Sequence, residues 1–243
     1  MLIHENRLLG WDCFSRSSGG RQQVEKVDMR DNMFGRRAGV ALSRAISRHL
    51  DLTEAYLSYL GFQDKGAIAL SNSLKEGAPS LRVLEIAGND ITSKAAPALA
   101  ECLAVKTLLT KFVASENELK DEGSVLICKA LMEDHEHLEE LDLSTNALTK
   151  IGAQAAAEAV ANKPKFNLLN IDANHISEEG IVAVKDVLRK GVKGISVLGS
   201  LEDNEEEGGG DGEESQGDNE DEDEEESSDS DNDINEKLES LKM

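Results

Sequence analysis

Aromatic residues are scarce: five Phe, two Tyr and one Trp make up 3% of 243 residues. So few flat rings argue against a stacking platform for single-stranded nucleic acid. The core has to come from many small aliphatic contacts. Cysteine occurs three times, at Cys13, Cys102 and Cys128. An odd count at these spacings fits neither a metal knuckle nor a disulfide framework. Reduced thiols are expected, with Cys102 and Cys128 packed on helices as small apolar residues. No apolar run approaches the ~20 residues of a membrane span, so direct membrane insertion is not expected. The first residues, MLIHENRLLGWDCF, lack an h-region and a small-residue cleavage site, which argues against secretion. The motifs G-x-x-x-x-G-K-S/T, G-x-S-x-G and H-E-x-x-H are missing as well, and with them the usual signs of intrinsic bond chemistry. His49, His135, His137 and His175 are scattered and read as solvated surface. Neither a metal site nor a cofactor is expected.

Charge is plentiful but lopsided. Asp and Glu number 48 against 26 Lys and Arg, a formal net charge of -22. From Glu202 to Met243 stand 21 of the acids and only two lysines. The preceding 201 residues hold 27 acids and 24 bases and are nearly neutral. Nothing here attracts a phosphate backbone, and the acidic end would repel one, so nucleic acid is not an expected partner. The stretch GGGDGEESQGDNEDEDEEESSDSDND has no apolar residues to offset the entropy of ordering, and disorder is predicted over 202–243. That tail could steer a basic partner surface or serve solubility alone. Ser228 and Ser230 each have an Asp three residues on, a pattern that suits acid-directed phosphorylation.

The organising signal is a repeat. One column runs Asn32, Leu60, Asn89, Asn117, Asn146 and Asn174, in steps of 28 or 29. Eight residues before it stand Val24, Leu52, Leu81, Leu109, Leu138 and Phe166. Five before are Val27, Ala55, Leu84, Phe112, Leu141 and Leu169, and three before are Met29, Leu57, Ile86, Ala114, Leu143 and Ile171. Two after the column stand Phe34, Phe62, Ile91, Leu119, Leu148 and Ile176. Six after are Ala38, Gly66, Ala95, Gly123, Gly152 and Gly180. This is L-x-x-L-x-L-x-x-N-x-L-x-x-x-G, the long leucine-rich-repeat pattern. It predicts an α/β solenoid, a horseshoe fragment of the ribonuclease-inhibitor type with repeats of 28–29 residues.

Each column has a physical reading. The L-x-L pair points two side chains to one face of a short strand. The Asn amide can satisfy backbone groups where the chain turns away. Asn32, Asn89, Asn117, Asn146 and Asn174 thus form a structural ladder rather than a set of catalytic amides. Leu60 cannot take that part, which predicts a locally different turn in the second unit. Helical periodicity follows each small residue, over 39–50, 66–77, 96–105, 123–134, 152–163 and 180–191. The repeats occupy 24–201, with Ile195–Leu201 as a C-terminal cap. Residues 1–23 fit no column. Either further units preceded the first one, or Leu8, Leu9, Trp11 and Phe14 fold over its edge as an irregular cap.

Residues between the strand leucines should line the concave face, where a rigid scaffold presents partner contacts. Asp28, Arg30, Tyr56, Glu85, Asp142 and Asp172 are the candidates for partner binding. Arg and Tyr are the types favoured at hot spots. As an arginine finger, Arg30 is less convincing than as an ordinary strand-end charge.

Several strings go beyond what the fold demands: EKVDMRDNMFG (25–35), LTEAYLSYLGFQDKGAIAL (52–70), PSLRVLEIAGNDIT (79–92), SENELKDEG (115–123), LDLSTN (141–146), LLNIDANHISEEGI (168–181), and an acidic tail ending in LESLKM. Over about residues 24–243 the chain resembles the plant Ran GTPase-activating proteins. The resemblance implies a monomeric regulator whose partner is a small GTPase of the Ran type, in nucleocytoplasmic transport. It implies a cytoplasmic location, with the nuclear envelope as an alternative. In that family the activator supplies no arginine finger, and its catalytic contacts lie in early repeats. Plant members carry a targeting domain with a Trp-Pro-Pro motif, which this sequence lacks. No residue of this chain matches the family's catalytic Asn. The other expectation is a non-catalytic leucine-rich-repeat scaffold.

Overall fold

The computed structural model describes residues 24–46 and 49–204. The readings made above for residues 1–23 and for the tail beyond 204, Ser228 and Ser230 included, fall outside the described residues.

Among the described residues, six three-residue strands alternate with six helices. The strands are β1 (Lys26–Asp28), β2 (Glu54–Tyr56), β3 (Val83–Glu85), β4 (Lys111–Val113), β5 (Glu140–Asp142) and β6 (Leu168–Asn170). The helices are α1 (Gly35–Ile46), α2 (Gln63–Glu76), α3 (Ala96–Ala104), α4 (Lys120–Met132), α5 (Lys150–Val160) and α6 (Glu178–Lys190), with 3-10 turns at Ser93–Ala95 and Gly194–Val197. All strands pair in parallel, in sequence order. The register runs Lys26, Glu54, Val83, Lys111, Glu140, Leu168, so each strand step equals one repeat step. The leucine-rich-repeat architecture is therefore as the periodicity dictates.

The core lies between sheet and helices. Leu52, Leu81, Leu109, Leu138 and Phe166 are fully buried, as are Leu57, Leu143 and Ile171 three places before the column. Each such side chain contributes roughly 2 kcal/mol. Small residues let the helices close on one another. A methyl group on Gly39 would meet Gly66 Cα at 2.9 Å, and one on Gly152 would meet Asp121 Oδ1 at 2.6 Å.

The helices begin up to four residues before their apolar periodicity does. Most of their first turns are polar, and two of them, in α5 and α6, are fixed by a side-chain cap. The Thr149 hydroxyl accepts from Ile151 N, and Ser177 from Gly180 N. Capping also links repeats. Asp64 accepts from Thr92 N and Oγ1, both at 2.8 Å. Asp121 accepts in the same way from Thr149 N and Oγ1, and from Gly152 N at 2.8 Å.

The asparagines form rungs. Asn117 Oδ1 accepts from Asn89 N at 3.1 Å and Ile91 N at 3.0 Å in the preceding repeat. Its Nδ2 donates to Ile86 O, Ala114 O and Ser115 O. Asn89 and Asn174 repeat this arrangement, whereas Asn146 Oδ1 accepts from Leu119 N alone and Asn117 N donates to Thr145 O. Asn32, at the first repeat, donates to Met29 O and Arg30 O. The ladder also extends one rung beyond the sequence reading, because Asn204 Oδ1 accepts from Asn174 N at 3.0 Å. Glu202–Asn204 therefore continue the ordered stack and do not begin the tail. Ahead of them, Gly199 N donates to Leu169 O at 2.9 Å.

Leu60 gives a mixed result. The turn keeps its shape: the residue before the column is left-handed in all six repeats, and Tyr59 has φ 59°. Only the rung differs. Met33 N donates to the backbone oxygen of Tyr59 at 3.2 Å, and the Leu60 side chain turns into the core.

His135 corrects the surface reading. It is 1% exposed, with Nε2 3.0 Å from Leu103 O and Nδ1 2.6 Å from Glu133 O. Eleven residues before each column, it belongs with Lys106, whose Nζ donates to Gly77 O at 2.6 Å, and Lys163, which donates to Met132 O at 3.3 Å. Each of these side chains reaches the C-terminal end of the preceding repeat's helix, where carbonyls lack partners and the dipole favours a cation. Cys102 and Cys128 are buried, and burial lifts their thiols to about 11 and about 12.

Asn117→Ala should remove a whole rung and leave several buried backbone groups unmet, at about 2–4 kcal/mol. Urea unfolding monitored by circular dichroism reads this as a lowered midpoint. A change under about 0.5 kcal/mol would refute the rung's role.

Candidate functional site

Strand residues six, four and two places before the column share the sheet face turned away from the helices. From the first repeat to the fifth they close an ionic lattice. Arg30 donates to Asp28 through Nε at 3.0 Å and Nη2 at 2.7 Å, and its Nη1 is 3.7 Å from Glu85. Lys111 bridges Glu85 and Glu140, both at 3.1 Å. Lys26 pairs with Glu54 at 2.8 Å, and the Tyr56 hydroxyl donates to the same Glu54 oxygen at 3.1 Å. The Tyr56 ring lies within 4.2 Å of Lys26 Nζ and 4.9 Å of Arg30 Cζ, measured to the ring centre. Both contacts are within cation–π reach.

Two candidates are less available than a solvated face would make them. The side chains of Asp28 and Glu85 are each 11% exposed and are engaged by cations. The Arg30 hydrogen bonds hold the Asp28 carboxyl below its ordinary range. Lys26, and then Tyr56, hold Glu54 down as well, against some burial. Burial, followed by the Glu54 contact, raises Tyr56. For Lys111, burial works against the charge, but its two carboxylates outweigh it and raise the value. Arg30 is 45% exposed at its side chain yet held in a fork by Asp28. That suits an anchored contact rather than a swinging finger.

The remaining candidates lie further along. Asp142 accepts from Ser144 N at 3.0 Å and Oγ at 2.7 Å. Asp172 accepts from Ala173 N, Asp203 N and Asn204 Nδ2, each at 3.0 Å, so it helps tie down the seventh rung. The structure thus brings Asp28, Arg30, Tyr56 and Glu85 together and leaves Asp142 and Asp172 apart.

The turns leaving the strands were not singled out by sequence. There Met33 is 75% exposed and Tyr59 Oη donates to Glu116 Oε1 at 2.5 Å. These turns hold Asp31, Met33, Tyr59, Asp90, Glu116, Thr145, Ala147 and Ala173 in left-handed conformations that favour glycine. The residue before the column takes this conformation in every repeat, so it belongs to the repeat turn itself. The signal available in sequence was the non-glycine residue at a position that calls for φ above zero.

No group of three His, Cys, Asp or Glu residues is arranged to hold a metal among the described residues. Nor is any helix among them long and apolar enough to cross a membrane. The arrangement offers surfaces: a charge-locked aromatic patch on the sheet, and a row of rigid turns beside it.

Because the folded values of Asp28 and Glu54 are depressed, their pairs add stability above the ordinary carboxylate values of 3.8 and 4.5. That stability is lost as pH falls through the lower folded values. Asp28→Asn should flatten the acid limb of the stability–pH curve, measured by thermal midpoints between about pH 2 and pH 6. An unchanged slope would show that the pair is not coupled to folding.

Comparison with known proteins agrees with this geometry. A family model described as Leucine Rich repeat matches residues 77–100 and 134–155. RAN GTPase-activating protein 2 of Arabidopsis thaliana is 50% identical over 151 residues, which are 62% of this chain and 27% of that protein. RAN GTPase-activating protein 1 of the same plant is 49% identical over 152 residues, 63% of this chain and 28% of its own length. Ribonuclease inhibitor of Mus musculus is 30% identical over 142 residues, 58% of this chain and 30% of that protein. The chain thus spans little more than a quarter of the plant relatives' length. It has the leucine-rich-repeat fold and, over three-fifths of its length, is similar to the plant Ran GTPase-activating proteins.

Proposed function

We propose that this chain is the partner-binding part of a Ran-type GTPase activator. In this reading it docks a small GTPase of the Ran type and performs no bond chemistry of its own. The observation that carries this is the 50% identity to a protein named a Ran GTPase activator. That identity reaches well beyond the core columns every leucine-rich repeat needs. The sheet-face lattice supports it, because preformed and rigid side chains bind with little ordering cost. Tyr56 and Arg30 supply aromatic and guanidinium contacts of the kind that dominate interfaces. In this reading the chain acts as a monomer in the cytoplasm or at the nuclear envelope.

One observation favours a second reading. The chain covers 27–28% of those plant proteins, so it could hold the GTPase without speeding hydrolysis, as a binding scaffold.

Phosphate release from Ran-type GTPase loaded with GTP separates the two readings. The activator reading expects an acceleration on the order of 10³-fold or more. Binding seen by calorimetry with an unchanged rate would select the scaffold. The absence of both would sink each reading.

A further inference from the structure

The sheet-face charges are largely spent on one another, whereas the turns beside them are not. Tyr59 reaches across two repeats, 57 positions in sequence, to donate its hydroxyl to Glu116 Oε1 at 2.5 Å. Its ring lies over Gly88, where an added methyl group would stand 2.2 Å from Tyr59 Cδ1. Only glycine leaves that seat open, and Gly88 also has a left-handed φ of 60°. The Glu116 hydrogen bond, and then burial, lift the Tyr59 hydroxyl to about 12, so it keeps its proton at physiological pH and stays a donor.

Glu116 is exposed, and no cation pairs with it among the described residues. One carboxylate oxygen is occupied by Tyr59, and the other is left for an incoming group. On the adjoining turn stands Met33, the most exposed large apolar side chain among the described residues. Its backbone N–H donates to Tyr59 O, which ties the two turns together. An aromatic face, an oriented carboxylate and an adaptable thioether make a complementary set. A guanidinium or ammonium can lie on the ring, pair with the carboxylate, and pack its aliphatic stem against methionine.

We propose that Met33, Tyr59 and Glu116 receive a basic side chain of the protein partner, with Tyr59 as the positioning residue that holds the Glu116 carboxylate. This rests on the GTPase-binding reading above and specifies where such a partner is gripped. The contact lies on the turns, beside the sheet-face lattice and not within it.

The test uses the full chain and a Ran-type GTPase carrying a non-hydrolysable GTP analogue, with Kd measured from 50 to 300 mM salt. Glu116→Gln should weaken binding about tenfold and flatten the salt dependence, as loss of an interfacial charge does. Tyr59→Phe keeps the ring over Gly88 and removes only the hydroxyl. It should weaken binding roughly threefold, and the double variant should be no weaker than Glu116→Gln alone, because the two residues act as one unit. A purely structural strap would instead lower the thermal midpoint of Tyr59→Phe and leave Kd and its salt slope untouched. Wild-type binding with both single variants within about twofold of it would overturn the proposal and leave the GTPase reading standing. Failure of the wild-type chain to bind would overturn both.

Discussion

From the second repeat onward, every repeat of this protein depends on an amide in the next one. The Asn side chain has two acceptor lone pairs and two N–H donors, and the strand-to-helix turn has a matching set of backbone groups that no ladder bond reaches. Asn117 meets two N–H groups of the previous repeat and three carbonyls, one of them also in the previous repeat. Leaving such buried groups unmet costs more than making the bonds gains, so the side chain fixes the turn. The left-handed residue just before it then appears in every repeat. Strand pairing, helix spacing and the sheet-face array inherit that geometry.

The candidate surfaces follow from it. Parallel strands in strict order place side chains from successive repeats one strand apart, close enough for Lys26 to pair with Glu54, for Lys111 to bridge Glu85 and Glu140, and for Arg30 to reach Glu85 two strands away. No single repeat contains that lattice. It exists only because strands of successive repeats are neighbours. The turns, locked by the rungs, hold Tyr59 and Glu116 across an intervening repeat in the same way.

Much of this was legible in the sequence because the signal recurs six times. Columns of Leu, Asn and Gly give the register, the strand face and the buried set. What recurs in position but not in residue type stayed hidden. His135 shares a place and a task with Lys106 and Lys163 but differs from them as a letter, so His135 read as surface. Most helix starts were missed because their first turns are polar, capped by Thr149 and Ser177 in two helices and tied to the next repeat through Asp64 and Asp121 in two others, and so show no apolar periodicity. Asn204 was masked by the acids around it. The Tyr59 contact spans two repeats, and no pattern within one repeat can announce it. Asp28 and Glu85 were correctly placed on the face, but burial by their own partners depends on side-chain reach, which spacing does not encode.

The rungs also give the stack a direction. Asn89 satisfies backbone groups of the second repeat, Asn117 those of the third, and Asn204 those of the sixth. Lys106 and Lys163 reach backward in the same sense. Each unit is therefore completed by its successor. Shortening the array from the front strands side-chain amides that water can readily serve. Shortening it from the back bares main-chain groups, Asn174 N among them, that the lost rung had met. For a protein of this build, losing a unit at the trailing end disturbs the main chain of the unit before it, whereas losing one at the leading end does not.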